Sequence, residues 1–130
     1  MKVKDYKDLK IWQKGIEIAD KIYTITDDFP KSELYGLTSQ MRRAAVSVPS
    51  NIAEGFVRHY TKEYTQFLRL SLGSCAELET QLIISDKRKY VKNKKIEELI
   101  EDLNHEMRML MSLVNSLSRD TSPESRGTNK

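Results

Sequence analysis

Apolar residues recur at spacings of three and four in four separate stretches of the chain, the period of a helix with one face turned to a core. The first stretch runs from about Asp8 to Ile25. Leu9, Trp12, Ile16, Ala19 and Tyr23 form a stripe that Ile11, Ile18 and Ile25 widen, as a bundle helix requires. It stops at Thr26-Asp27-Asp28-Phe29-Pro30, because proline cannot continue a helix and draws Phe29 out of helical backbone. The second begins at Ser32, a good N-cap with Glu33 in the first turn, and carries Leu34, Leu37, Met41, Ala44, Val48 and Ile52. Pro49 falls inside it, removes a hydrogen bond and crowds the carbonyl of Ala45, so a kink is expected there. Gly55 and Arg58-His59-Tyr60 close this helix.

Thr61 caps the third stretch, which places Tyr64, Phe67, Leu68, Ser71, Cys75, Leu78 and Leu82 on one face, with Gly73-Ser74-Cys75-Ala76 slimming its middle. The fourth is the most regular: Ile96, Leu99, Ile100, Leu103, Met107, Leu110, Val114 and Leu117. Long helices joined by short polar links pack as antiparallel neighbours. The pattern therefore predicts an all-α, up-down-up-down antiparallel four-helix bundle over residues 1–118, with the second helix kinked at Pro49. Residues 119–130 lack apolar content and are expected to be a disordered tail.

Composition narrows the class. Of the 130 residues, 38% are apolar and 32% charged, with only five glycines and three prolines, which suits one helical domain better than a turn-rich sandwich. The single cysteine, Cys75, excludes an internal disulfide and a multi-cysteine zinc site, and fits a reducing compartment. No signal-like apolar segment follows the N-terminus, and no apolar run approaches the ~20 residues that cross a bilayer. A cytoplasmic location without membrane contact is expected.

The formal charge is only +3, but it is unevenly spread. Between Asp86 and Lys95 stand Lys87, Arg88, Lys89, Lys92, Lys94 and Lys95, with Tyr90 among them, whereas the following segment is acidic. Two readings compete. Cations at the end of the third helix and Glu97, Glu98, Glu101 and Asp102 at the start of the fourth would complement the helix dipoles without any partner. Alternatively the cations meet the phosphates of RNA or DNA, with Tyr90 stacking on a base.

The second helix carries the other unusual pattern. Gln40, Arg43, Ser47, Ser50, Asn51, Glu54 and Arg58 form a polar face of mostly small residues opposite the core stripe, more suited to a packing seam than to a solvated surface. Arg42 and Arg43 together could instead take a phosphate. Catalysis is not expected. The two histidines, His59 and His105, do not supply the paired Glu-x-x-His motifs of a di-metal bundle; Asp102-x-x-His105 is the nearest spacing, with His105 pointing outward. Cys75 lies on an apolar stripe, and no glycine-rich phosphate loop occurs. No cofactor or metal is called for.

Several segments resemble a known family. Asp8-Leu-Lys-Ile-Trp-Gln-Lys14, Tyr35-Gly-Leu37, the run from Gln40 to Gly55 and the run from Phe67 to Leu82 are similar to the bacterial four-helix bundle family named for open reading frames inside intervening sequences of 23S ribosomal RNA genes. The resemblance spans about residues 5–117 and departs from the family mainly in the basic link after Ile84. It implies closed homopentameric rings of bundles. A related branch comprises accessory proteins of diversity-generating retroelements that bind a reverse transcriptase and nucleic acid. The shared motif overlaps the face already singled out, at Arg42, Arg43, Ser47, Pro49, Asn51, Glu54 and Gly55.

Overall fold

The computed structural model describes residues 3–119, which form four α-helices and no strand. They are α1 (Lys10–Thr26), α2 (Leu37–Phe56), α3 (Thr61–Lys87) and α4 (Asn93–Arg119). The contacts of α2 with α3 and with α1 run in opposite chain directions. Met41 meets Ser85 while Val48 meets Ser71 across α2 and α3. Gly15 lies against Pro49, while Arg42 reaches back to Thr26 across α1 and α2. The helices thus enclose one core, in which Ile18, Ile22, Met41, Ile52, Leu68, Leu78, Leu82, Leu103 and Leu110 are fully buried. Among the described residues no helix is long and apolar enough to cross a membrane. The expected tail beyond Arg119 lies outside the described residues.

Several local expectations need correcting. In α1 the core face is Ile11, Gly15, Ile18, Ile22 and Ile25. The neighbouring stripe is its flank: Ile16 and Tyr23 are each 43% exposed. Both rows have helical spacing, and Gly15 disguised the true one because a glycine does not read as apolar. The helix is also preceded by a 3-10 turn, Tyr6–Asp8, capped by Asp5.

Ser32 does not cap α2. It lies in a 3-10 turn, Lys31–Glu33, and the helix starts only after Gly36, leaving Leu34 exposed. The Glu33 carboxylate accepts the free Leu37 N–H at 3.0 Å, which satisfies one of the orphan donors of the first turn. Likewise Tyr60, in extended backbone, holds the cap position of α3, and Thr61 is buried in its first turn. Pro49 sits within α2, buried against α1.

One core position is occupied by a charge-bearing side chain. Glu106 is 0% exposed, and neither carboxyl oxygen has a hydrogen-bond partner. Burial pushes its pKa up to about 8, with Lys14 pulling weakly the other way. One turn earlier, Asp102 accepts hydrogen bonds from Lys21 at 2.8 Å and Lys14 at 2.9 Å, and both lysines also pair with Glu17. Burial opposes the charge on Asp102, but the two lysines outweigh it and hold its carboxyl below the ordinary value. This quartet is already neutral, so Glu106 fits the α1–α4 seam best with its proton on.

Candidate nucleic-acid interface

The basic link is shaped by the way α3 ends. Tyr90 N–H bonds to Ser85 C=O and Lys89 N–H to Asp86 C=O, both at 2.9 Å, which is the paired pattern of a Schellman cap. That cap needs one left-handed residue, and Lys89 takes the place with φ 63°. The turn sends Tyr90 back onto the bundle. Its ring packs on Phe29 with centroids 5.3 Å apart, and its hydroxyl donates to Glu33 Oε2 at 3.0 Å. The Leu37 N–H, then the Tyr90 hydroxyl, hold the Glu33 carboxyl below its ordinary pKa. Tyr90, which the sequence offers for stacking, is therefore a half-buried clamp between the α1–α2 and α3–α4 links.

The cations behave otherwise. Lys87, Arg88, Lys89, Lys92, Lys94 and Lys95 are all exposed, and no carboxylate lies within salt-bridge distance of any of them among the described residues. Lys87, Arg88 and Lys89 stand at the C-terminus of α3, where a cation complements the dipole. Lys92, Lys94 and Lys95 do not. The Lys92 carbonyl accepts the Lys95 and Ile96 N–H groups, so these lysines surround the N-terminus of α4, whose first turn contains no acid. Because α4 starts at Asn93, Glu97 and Glu98 fall beyond the first turn. Helix electrostatics accounts for half of the cluster and is opposed by the other half.

The polar residues of α2 do not make one continuous free face. The Ser47 and Ser74 hydroxyls are hydrogen-bonded at 2.8 Å, and Asn51 donates to Ser47, so both residues of α2 serve the α2–α3 seam. Arg42 turns the other way: it donates to Thr26 Oγ1 and Asp27 Oδ1, both at 2.8 Å, and covers the Tyr23 ring. Arg58 pairs with Glu54 at 2.8 Å and lies over Phe67. Ser50, Glu54 and Arg43 remain exposed, Arg43 with only a long 3.5 Å contact to Ser39.

Periodicity gave no sign of the groove beside this arginine. It is about 640 Å³ and is lined by Tyr23, Leu34, Tyr35, Thr38, Ser39, Arg42, Arg43 and Val46. A leucine and a tyrosine just before Gly36 were the available signal.

The model of the 23S rRNA-intervening sequence protein family matches residues 7–112. The chain belongs to that family. Among curated proteins none matches. The fold is similar to a crystal structure from Bacteroides thetaiotaomicron, a protein of unknown function from the S23 ribosomal protein family. The two share 20% identity with a TM-score of 0.73, over 80% of this chain and 97% of the other.

Within this member of the intervening-sequence protein family, Cys75 is buried in the core, and burial followed by the charges of Glu106 and Glu79 pushes its thiol up to about 12. A thiol so far from its thiolate is a packing group. Among the described residues, no three His, Cys, Asp or Glu side chains converge as a metal-holding group.

Proposed function

We propose that this intervening-sequence family protein is a non-enzymatic, self-associating cytoplasmic bundle that holds RNA or DNA by its phosphates, through the cations of the α3–α4 link. The observation that carries the reading is the placement of Lys92, Lys94 and Lys95 around the N-terminus of α4, where they oppose the helix dipole and have no acid in the first turn. A cost to stability at three neighbouring positions is best understood as a charge kept for a polyanion. Self-association is supported by apolar side chains left on the outside of α3, Leu70, Ile83 and Ile84. In the ring of five that the family resemblance implies, the patch recurs in each subunit, and avidity follows.

Fluorescence anisotropy with a labelled RNA oligonucleotide tests this on wild type and on the triple variant Lys92→Glu, Lys94→Glu, Lys95→Glu. The variant should lose at least ~10-fold in affinity at low salt while its helix becomes more stable, since each reversal removes a dipole penalty of ~0.3–1 kcal/mol. Unchanged affinity contradicts the reading. Light scattering should give the mass of several protomers, and a monomer at micromolar concentration contradicts the assembly.

The alternative is a protein–protein scaffold or accessory subunit without nucleic-acid contact, which the same exposed Leu70, Ile83 and Ile84 favour. It is distinguished by multimers that retain no oligonucleotide even at low salt.

A further inference from the structure

The Tyr90 clamp ties the α1–α2 link to the basic link at one end of the bundle. Glu33 accepts the Tyr90 hydroxyl, and two residues further on stands Tyr35, which is 93% exposed. Consecutive Cα atoms are about 3.8 Å apart, so the Cα atoms of Tyr35 and Glu33 are at most about 8 Å apart. No aromatic of the fold is more exposed, and its ring has gained nothing from folding. Beside it opens the groove whose polar side is formed by Arg42 and Arg43.

The charges around this groove are arranged asymmetrically. Asp27 is taken up by Arg42, and Glu33 by the Leu37 N–H and the Tyr90 hydroxyl. Asp28 is left as the carboxylate of this link with no cation in salt-bridge range among the described residues. Arg43, in contrast, is exposed and loosely held, and the six cations of the other link flank the same end. A solvent-exposed aromatic beside a cationic track is the pairing that serves unstacked bases. The cations follow the backbone, and the ring offers a face to whichever base lies over it. A duplex would not use the ring, because its bases are already stacked on one another.

We propose that this end of the bundle is a binding site for single-stranded nucleic acid, in which Tyr35 stacks on a base at the mouth of the Arg42–Arg43 groove while the α3–α4 cations hold the flanking phosphates. This rests on the nucleic-acid reading above and adds the strandedness of the ligand and the residue that reads it.

The test is fluorescence anisotropy on the full chain with a labelled 12-nucleotide single-stranded RNA and with the duplex of the same sequence. Wild type is compared with Tyr35→Ala, Tyr35→Phe and the lysine triple variant. Wild type should prefer the single strand. Tyr35→Ala should weaken single-strand binding ~5–100-fold with the salt dependence unchanged, as loss of one stacking contact predicts, and Tyr35→Phe should restore it. The lysine variant should weaken both ligands and flatten the salt dependence. Three results overturn the proposal: Tyr35→Ala binding single strands as wild type does, equal affinity for duplex and single strand, or a change in assembly mass on Tyr35→Ala, which would make the ring a subunit contact. In each of these the lysine-dependent binding survives. No binding by wild type at low salt overturns the underlying reading as well. Tyr35 is too exposed for its removal to unfold the chain, and equal thermal midpoints confirm that binding is read on folded protein.

Discussion

Glu106 Oε2 lies 3.4 Å from the point where a side chain on Gly15 would begin, and the Pro49 ring lies 3.3 Å from the same point. Three helices therefore meet at a position where α1 has no side chain, α2 has no backbone donor and α4 presents a carboxyl group without a partner.

The proton on Glu106 makes stability depend on pH. Its folded pKa, about 8, is raised above the ordinary 4.5. A raised carboxyl contributes fully below the unfolded value and loses that contribution as pH rises toward the folded one. Wild-type stability should therefore fall between pH 4.5 and about 8 by up to ~1.4 kcal/mol per unit. Glu106→Gln keeps the shape of the protonated acid and should remove the slope, so urea midpoints of the two proteins diverge as pH rises. Parallel curves would show that Glu106 is not protonated in the folded bundle.

Close approach at two glycines should be costly to fill. At Gly55 a Cβ would stand 2.7 Å from Phe67 Cβ and 3.3 Å from the Tyr64 carbonyl, and neither can give without moving α3. Gly55→Ala should destabilise by ~1–3 kcal/mol despite the better helix propensity of alanine. Gly15→Ala meets the same opposition more mildly from the Pro49 ring, and a smaller loss is expected by chemical denaturation.

Lys89 holds a left-handed conformation that glycine adopts without steric cost. Lys89→Gly should stabilise the fold by ~0.5–1 kcal/mol while weakening oligonucleotide binding slightly through the lost charge. Destabilisation would mean that the cap is not as described.

Tyr90→Phe and Tyr35→Ala should separate structure from binding. The first loses the hydroxyl bond to Glu33 and should lower the thermal midpoint by a few degrees with little effect on affinity. The second should leave the midpoint unchanged.

The bundle was legible because most core positions are simple. Met41, Val48 and Ile52, or Leu103, Leu110 and Val114, repeat at helical spacing and are buried as that spacing requires. Reading failed where a core position does not look like one. Gly15 hid the inner face of α1, and Glu106 stood in a core row that patterning assigns to apolar side chains. The basic cluster was visible in the sequence. Its meaning was not, because which lysines help a helix and which oppose it depends on a boundary of three residues: α4 begins at Asn93 and not at Ile96. The placement of Tyr90 and Tyr35 was hidden for a similar reason. A Schellman turn closed by a lysine sends one ring inward, and a 3-10 turn before Gly36 leaves the other outside. The Ser47–Ser74 pair joins residues far apart in the chain, which periodicity within one helix cannot reveal.

The most direct measurement is the affinity of the wild-type protein for single-stranded RNA across a salt series. If all six cations of the α3–α4 link meet phosphates, the logarithm of the binding constant should fall against the logarithm of salt concentration with a slope of about −4, at ~0.7 per contact. In the triple lysine-to-glutamate variant the slope should be at most half as steep. A flat response, or no binding at low salt, would contradict the account.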